Sequence, residues 1–213
     1  QREGALTSEA GSTRPVGIDV GMGVQTAGTV RLNTQGGMLA TENQLNVAID
    51  GRGYFSVLMP DGNQAFTRDG SFQLAPEGEI VTMQGYRVDP GLVVPPNTTA
   101  VEINEQGVVM AFVENDPVPV ELGQFSLTTF VNEPGMRPVG NNFLLATEAS
   151  GEAQVVTPGA PGAGLIRQGY LEASNVNVIQ QITDLISAQR AYEMNSKSIE
   201  TADQMLSAAN QIR

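Results

Sequence analysis

From about Asn177 to Ile212 the chain contains neither Gly nor Pro, although it holds 24 Gly and 12 Pro in all. Strong helix formers dominate this run. Roughly 35 residues at the rise of an α-helix span roughly 50 Å. Asn177 stands where an N-cap belongs, and Gln180, three residues on, completes a variant of the capping box. A single long C-terminal helix is predicted.

Its apolar residues recur at seven-residue spacing. Val178, Leu185, Tyr192, Ile199 and Leu206 hold one seam position, and Gln181, Ala188, Asn195, Ala202 and Ala209 follow three residues later. Ile182 and Ile186 widen the stripe near its start, and Met205 and Ile212 near its end. This is the 3,4 spacing of a coiled-coil seam, narrower than the face a helix lays on its own domain. Alanines at the second position let a partner helix come close, and Asn195 specifies register at some expense in stability. Arg190 with Glu193, and Glu193 with Lys197, are placed for ion pairs on the opposite face, each worth about 0.2–0.5 kcal/mol. The expected partner is another helix. Because the chain opens at Gln1 in a small, polar stretch, an N-terminal segment lost from this sequence is the candidate.

Ahead of the helix the pattern changes to short apolar runs separated by turn signals, as in antiparallel β proteins. Strands are expected at Val47–Ile49, Tyr54–Met59, Gln64–Thr67, Ser71–Leu74, Ile80–Thr82, Tyr86–Val88, Val101–Ile103, Val108–Val113, Val118–Leu122, Phe125–Phe130 and Phe143–Ala146. Pro60-Asp61-Gly62-Asn63 has the chemistry of a hairpin turn, and Asp69-Gly70, Pro76-Glu77-Gly78 and Gln106-Gly107 are read the same way. Pro117, Pro119, Pro134 and Pro138 cannot donate to a ladder, so their segments are expected at edges or in loops. The fold class is therefore α+β: a mainly antiparallel β domain followed by one long helix. Residues 1–28 read as an extended lead-in, 29–154 as the β-rich domain, 155–170 as a Pro/Gly linker and return segment, and 171–213 as the helical segment.

Composition closes off most chemistry. The chain has no Cys and no His, which removes disulfides, Cys or His metal sites and His-based triads. Lys197 is its single lysine. The net charge of -12 opposes nucleic acid and anionic membrane surfaces, both of which are bound through Lys and Arg. No apolar run approaches the roughly 18–20 residues of a membrane-spanning helix. Gly21-Met22-Gly23 starts like a dinucleotide fingerprint, but Thr26 and a Thr/Val-rich stretch follow where a helix is required. Asp61 with Asp69 and Glu77 with Glu79 could pair as glycosidase carboxylates, yet all sit at expected turns, where acids serve as turn formers. Asn97-Thr98-Thr99 matches a glycosylation sequon and reads as a turn after Pro95-Pro96. No cofactor, metal or catalytic residue is expected.

Two blocks carry a resemblance. The first runs Asp50-Gly51-Arg52-Gly53-Tyr54-Phe55, then Ala65-Phe66-Thr67-Arg68-Asp69-Gly70-Ser71-Phe72, then Gly78-Glu79-Ile80-Val81-Thr82 and Gly85-Tyr86-Arg87-Val88. The second runs from Gln168-Gly169-Tyr170 through Ser174-Asn175-Val176-Asn177 to Ser187-Ala188-Gln189-Arg190-Ala191-Tyr192 and Thr201-Ala202-Asp203. Together they resemble the axial family of bacterial flagellar rod and hook proteins over essentially the whole chain. Gly51, Gly53, Phe55, Thr67, Arg68, Gly70, Phe72, Gly85, Tyr86, Gly169, Ser174, Asn175, Gln189 and Arg190 are the motif residues. Only about 80 residues separate Val88 from Gln168, too few for the extra outer domain of a hook protein, and the run from Ser187 to Lys197 with the Thr157-Pro158-Gly159 linker resembles the distal-rod type more than the proximal.

The resemblance implies a structural subunit of a hollow helical drive shaft crossing the periplasm in the flagellar basal body. Terminal helices would line its inner layer and β domains its outer layer. The implied partners are further copies of itself, proximal rod proteins, the hook protein and the peptidoglycan-level and outer-membrane-level bushing rings. Export through the flagellar type III apparatus is also implied, and a chain without Cys suits that route. A proximal rod protein, a secreted β-rich adhesin or binding module, and a carboxylate-based hydrolase are the alternatives.

Overall fold

A computed structural model describes residues 31–114 and 118–211. The lead-in over residues 1–28, Gly21-Met22-Gly23 and Pro117 lie outside the described residues. In chain order the strands are β1 (Met38–Ala40), β2 (Val47–Asp50), β3 (Phe55–Leu58), β4 (Gln64–Thr67), β5 (Phe72–Leu74), β6 (Ile80–Thr82), β7 (Arg87–Val88) and β8 (Thr98–Ile103). They continue with β9 (Val108–Val113), β10 (Val120–Gln124), β11 (Leu127–Thr129), β12 (Arg137–Gly140), β13 (Phe143–Leu145), β14 (Gln154–Val156), β15 (Leu165–Gln168) and β16 (Tyr170–Glu172). One helix, α1 (Val178–Gln211), follows. The α+β reading holds.

The largest sheet has seven strands in the order β12-β13-β4-β3-β7-β6-β5, and β10-β9-β8 form a three-stranded sheet. Of three two-stranded ribbons, β1-β16 and β15-β2 join early and late parts of the chain, and β11-β14 pairs strands within its second half. The pairings are antiparallel. Turn chemistry explains the hairpins. In the β3–β4 turn Gly62 takes φ 79°, and Asn63 N donates to Asp61 Oδ1 at 3.1 Å. Gly78 and Gly107 take the same left-handed conformation between β5 and β6 and between β8 and β9.

The core lies where the sheets face one another. Val47, Ile49, Phe55, Val57, Phe72, Ile80, Val109, Phe125, Leu127 and Ile166 are buried together. Phe55, Phe72 and Phe125 form an aromatic triangle with centroids 5.1, 6.0 and 6.1 Å apart, a packing that adds to plain area burial. A second cluster on the other face of β3 and β4 gathers Tyr54, Phe66, Phe130 and Met136.

Asp69-Gly70 is not a hairpin turn. Strand β4 pairs with β3 and β13, while β5 pairs with β6 at the far side of the same sheet. Gly70 instead lies against β2, accepting the Val47 N–H at 3.0 Å, and a Cβ there would stand 1.6 Å from the Val47 carbonyl oxygen. The Pro/Gly linker and return segment, 155–170, is woven into the β body. Gln154–Val156 pairs with β11, Leu165–Gln168 pairs with β2, and Ile166 is fully buried. Its Pro and Gly residues build tight turns, closed by Ala160 N to the Thr157 carbonyl at 3.1 Å and Ala163 N to the Ala160 carbonyl at 2.9 Å, while Gly164 N reaches the Arg52 carbonyl at 2.7 Å. The segment from residue 171 begins as the end of β16, and helix starts only at Val178. Pro138 does sit in an edge strand, β12.

Candidate assembly interface

The helix begins as its cap dictates. Asn177 Oδ1 accepts the N–H groups of Ile179 and Gln180 at 3.1 and 3.2 Å, satisfying two of the orphan donors of a first turn. The reciprocal half of the capping box is absent, because Gln180 Nε2 turns along the helix to Asp184 Oδ1 at 3.0 Å. Thr183, Ser187 and Ser198 return their hydroxyls to the carbonyls of Ile179, Thr183 and Met194. All three lie off the seam, so these polar groups are satisfied within the helix itself.

The apolar stripe is not satisfied within it. Val178, Ile182, Leu185, Tyr192 and Ile199 are exposed by 64, 52, 58, 78 and 63%. Ala188, Asn195 and Ala202 are exposed on the same seam. Leu206 and Ala209 belong to the helix, at positions whose side chains fall outside the described residues. Gln189 and Arg190 are also exposed on α1. The ion pairs expected of Glu193 with Arg190 and with Lys197 are not closed; the pairs among the described residues lie in the β body and its neck. A helix of 34 residues draws most of its stability from packing an apolar face. Here that face is open.

The neck between body and helix is a two-stranded ribbon. Met38, Leu39 and Ala40 pair with Glu172, Leu171 and Tyr170. Beyond that register Ala173 N donates to the Gly37 carbonyl at 2.8 Å, and Asn175 Nδ2 to the Thr34 carbonyl at 3.0 Å. Ser174 Oγ accepts the Val176 N–H at 3.3 Å. Gly169, at φ 74°, donates to the Asn46 carbonyl and accepts from Thr41 N, both at 2.7 Å.

Among the other motif residues, Phe55, Phe72 and Gly70 are core elements, and Thr67 is buried with its Oγ1 accepting the Asp69 N–H. Gly85 makes the β6–β7 turn at φ 83°, and Tyr86 packs on Phe143 at 5.3 Å. Gly51, Gly53 and Arg68 converge on one point. Gly51 and Gly53 take φ 121° and 137°, conformations that aim both carbonyls at the Arg68 guanidinium, each 3.1 Å from Nη1. Arg68 Nε reaches the Glu172 carboxylate at 2.8 Å, and its guanidinium carbon lies 5.8 Å from the Tyr54 ring centroid. Tyr54 in turn donates its hydroxyl to Glu133 Oε2 at 3.0 Å, and Arg52 holds Glu133 Oε1. Burial, followed by the adjacent Glu133 charge and hydrogen bond, pushes the Tyr54 phenol far above the ordinary tyrosine range. Glu172, Tyr54, Glu133 and Gly36 were not among the expected site residues. The readable signal was Arg68 itself, a cation between buried strands that requires acceptors.

The acids weighed as catalytic pairs serve local structure. Asp61 accepts from the Asn63 side chain and backbone, which holds its carboxyl below the usual range. Asp69 caps Ser71 through Oδ1, at 3.0 Å to N and 2.6 Å to Oγ. Glu79 pairs with Arg87 at 3.5 Å. Among the described residues no helix is long and apolar enough to cross a membrane.

An exposed apolar stripe on a helix joined to a β body by a ribbon is the arrangement to compare with known proteins. The flagellar hook protein FlgE/F/G D1 domain matches residues 48–111, and the flagellar basal body rod FlgEFG protein C-terminal domain matches residues 167–212. The flagellar basal-body rod protein FlgG of Caulobacter vibrioides is 45% identical over 213 residues, covering 100% of this chain and 81% of that protein. The chain belongs to the FlgG family of flagellar basal-body rod proteins. FlgG of Borreliella burgdorferi is 42% identical over 94% of this chain and 76% of its own length. The flagellar hook-basal body complex protein FlhP of Bacillus subtilis is more distant, at 29% identity over 93% of this chain and 76% of its own length. This rod protein is thus a structural subunit of the flagellar basal body. Its two matched regions divide at the features described above: the first covers β2 through most of β9, including the Gly51–Gly53–Arg68 cluster, and the second covers the β16 strand of the neck and the helix.

Proposed function

We propose that the chain is a distal-rod subunit whose C-terminal helix packs in the inner wall of a tubular drive shaft, with the β body forming the outer wall. The exposed apolar seam of α1 carries this reading. Its off-seam hydroxyls bond within the helix, whereas Leu185, Tyr192 and Ile199 stand in solvent and require apolar cover. The small residues Ala188 and Ala202 admit a close helical neighbour. The partners proposed are further copies of this chain, proximal rod proteins at one end, the hook protein at the other, and the peptidoglycan-level and outer-membrane-level rings around the shaft. Torque then passes through many parallel helix contacts, so no single contact carries it.

Leu185→Asp or Ile199→Asp is expected to leave the β-sheet circular dichroism intact and to abolish both tubes, seen by electron microscopy, and swimming. Gln204→Asp, which puts the same charge on the opposite face, is expected to assemble. Normal motility in either seam variant would sink the proposal.

A further inference from the structure

Arg68 is saturated in an unusual way. Its five N–H groups make five contacts: Nε to Glu172 Oε2 at 2.8 Å, Nη1 to the Gly51 and Gly53 carbonyls, and Nη2 to the Gly51 carbonyl at 3.1 Å and the Ile49 carbonyl at 3.4 Å. Four of these contacts grip the β2–β3 connection. The fifth leaves the body and takes hold of the neck. Glu172 passes the grip on, because its Oε1 accepts the Gly36 N–H at 2.9 Å on the opposite strand of the ribbon. One guanidinium therefore holds both strands of the neck through a single carboxylate.

Both ends of this connection are stiff. A Cβ on Gly51 would stand 2.8 Å from the Gly164 Cα, so the carbonyl cradle is wedged against the segment leading into β15. A Cβ on Gly36 would stand 1.8 Å from the Ala173 carbonyl oxygen, so the two neck strands touch backbone to backbone at that point. The planar fork of arginine fixes direction as well as distance. An isolated two-stranded ribbon is marginal and twists easily, so its orientation must come from what it docks on. Only five residues separate Glu172 from the first residue of α1, and Ala173, Asn175 and Asn177 are each tied by the bonds described above. Orientation set at Glu172 is therefore handed to the helix.

We propose that Arg68 is a positioning residue: through Glu172 it sets the direction in which the helix leaves the β body. In the rod this fixes the angle between inner and outer walls, so the proposal draws its purpose from the rod reading. Its test requires no polymer.

The chain has no Cys, so spin labels attach only where a Cys is introduced. In the full chain, Gln73→Cys with Gln181→Cys reports the body-to-helix distance, and Gln73→Cys with Glu121→Cys reports a distance within the body. Arg68→Gln is expected to broaden the first distance distribution about twofold and leave the second unchanged. Glu172→Ala, which leaves the four contacts to the β2–β3 connection in place, is expected to do the same, and it decides the matter should Arg68→Gln fail to fold. A first distribution as narrow as in the unaltered chain overturns the proposal. So does broadening of both, which would make Arg68 a general prop of the β body. If the labelled chain with Arg68 and Glu172 intact keeps a narrow first distribution that Arg68→Gln broadens, but the chain without introduced Cys never forms tubes, the rod reading fails while the positioning role stands.

Discussion

Arg68 Nε and Glu172 Oε2 lie 2.8 Å apart although the two residues stand 104 positions apart in sequence. The Arg68 and Glu172 side chains are only 21% and 12% exposed, so solvent screens the contact weakly. Removing one partner strands the other together with its backbone acceptors. Arg68→Ala is expected to lower unfolding stability by about 2–4 kcal/mol, against about 1 kcal/mol for Glu172→Gln, whose amide oxygen still accepts from Nε. Urea denaturation of both variants and their double variant measures the coupling. Additive losses would show that the contact carries no energy of its own.

Gly70 illustrates how close the body is packed. The Val47 carbonyl oxygen occupies the space a side chain would enter, and the Val47 N–H is bonded to the Gly70 carbonyl, so neither backbone can retreat. Gly70→Ala is expected to destabilise the body by at least about 3 kcal/mol. Gly62→Ala, at an open turn where the only penalty is a positive φ, is expected to lose about 1 kcal/mol. Thermal unfolding followed by circular dichroism ranks the two, and equal losses would contradict the packing described for Gly70.

Much of this architecture was legible in the sequence, and the part that was not has a common cause. Helix α1 announces itself by composition and by the Asn177 cap, both local signals. Strands β4 and β9 match their expected bounds because a polar turn with Gly at the left-handed position precedes each. Strands β1, β12, β14, β15 and β16 escaped: they are short and, apart from Ile166, carry exposed or half-buried residues, with no alternation to read. Their existence depends on partners far away in sequence, such as Val155 opposite Thr128. The Asp69-Gly70 turn misled for the same reason, since its residues suit a hairpin but β13 takes the place beside β4. The apolar stripe of α1 is legible by its period, whereas the Arg68 junction, assembled from Gly36, Gly51, Gly53 and Glu172, exists only in three dimensions.

The Tyr54 phenol supplies a pH-dependent test. Its pKa is raised, first by burial and then by Glu133, so the folded state holds the proton more tightly than the unfolded chain. The stability this contributes is complete below the ordinary tyrosine pKa of about 10 and is lost as pH climbs above it toward the raised value. Tyr54→Phe is expected to lose about 1 kcal/mol at neutral pH, with Arg52 still holding Glu133, and to decline less steeply under alkali. Denaturation curves at rising pH compare the two proteins. Parallel alkaline slopes would show that the phenol is not held neutral.

Asn195 is the polar residue at the middle of the seam, between Ala188 and Ala202, with Gln181 the other polar residue near its start. Within a helix bundle an amide there is satisfied only when it meets a polar group on its neighbour, so slipped alignments leave it buried without a partner. Leucine carries no such condition. Asn195→Leu is therefore expected to raise the resistance of tubes to denaturant while loosening their register, seen as several coexisting helical symmetries in electron micrographs. If the variant forms tubes of one symmetry with unchanged resistance, Asn195 faces solvent in the assembled wall. The close approach of helices must then rest on Ala188 and Ala202, and Ala188→Leu is expected to push the neighbouring helix outward and widen the tube.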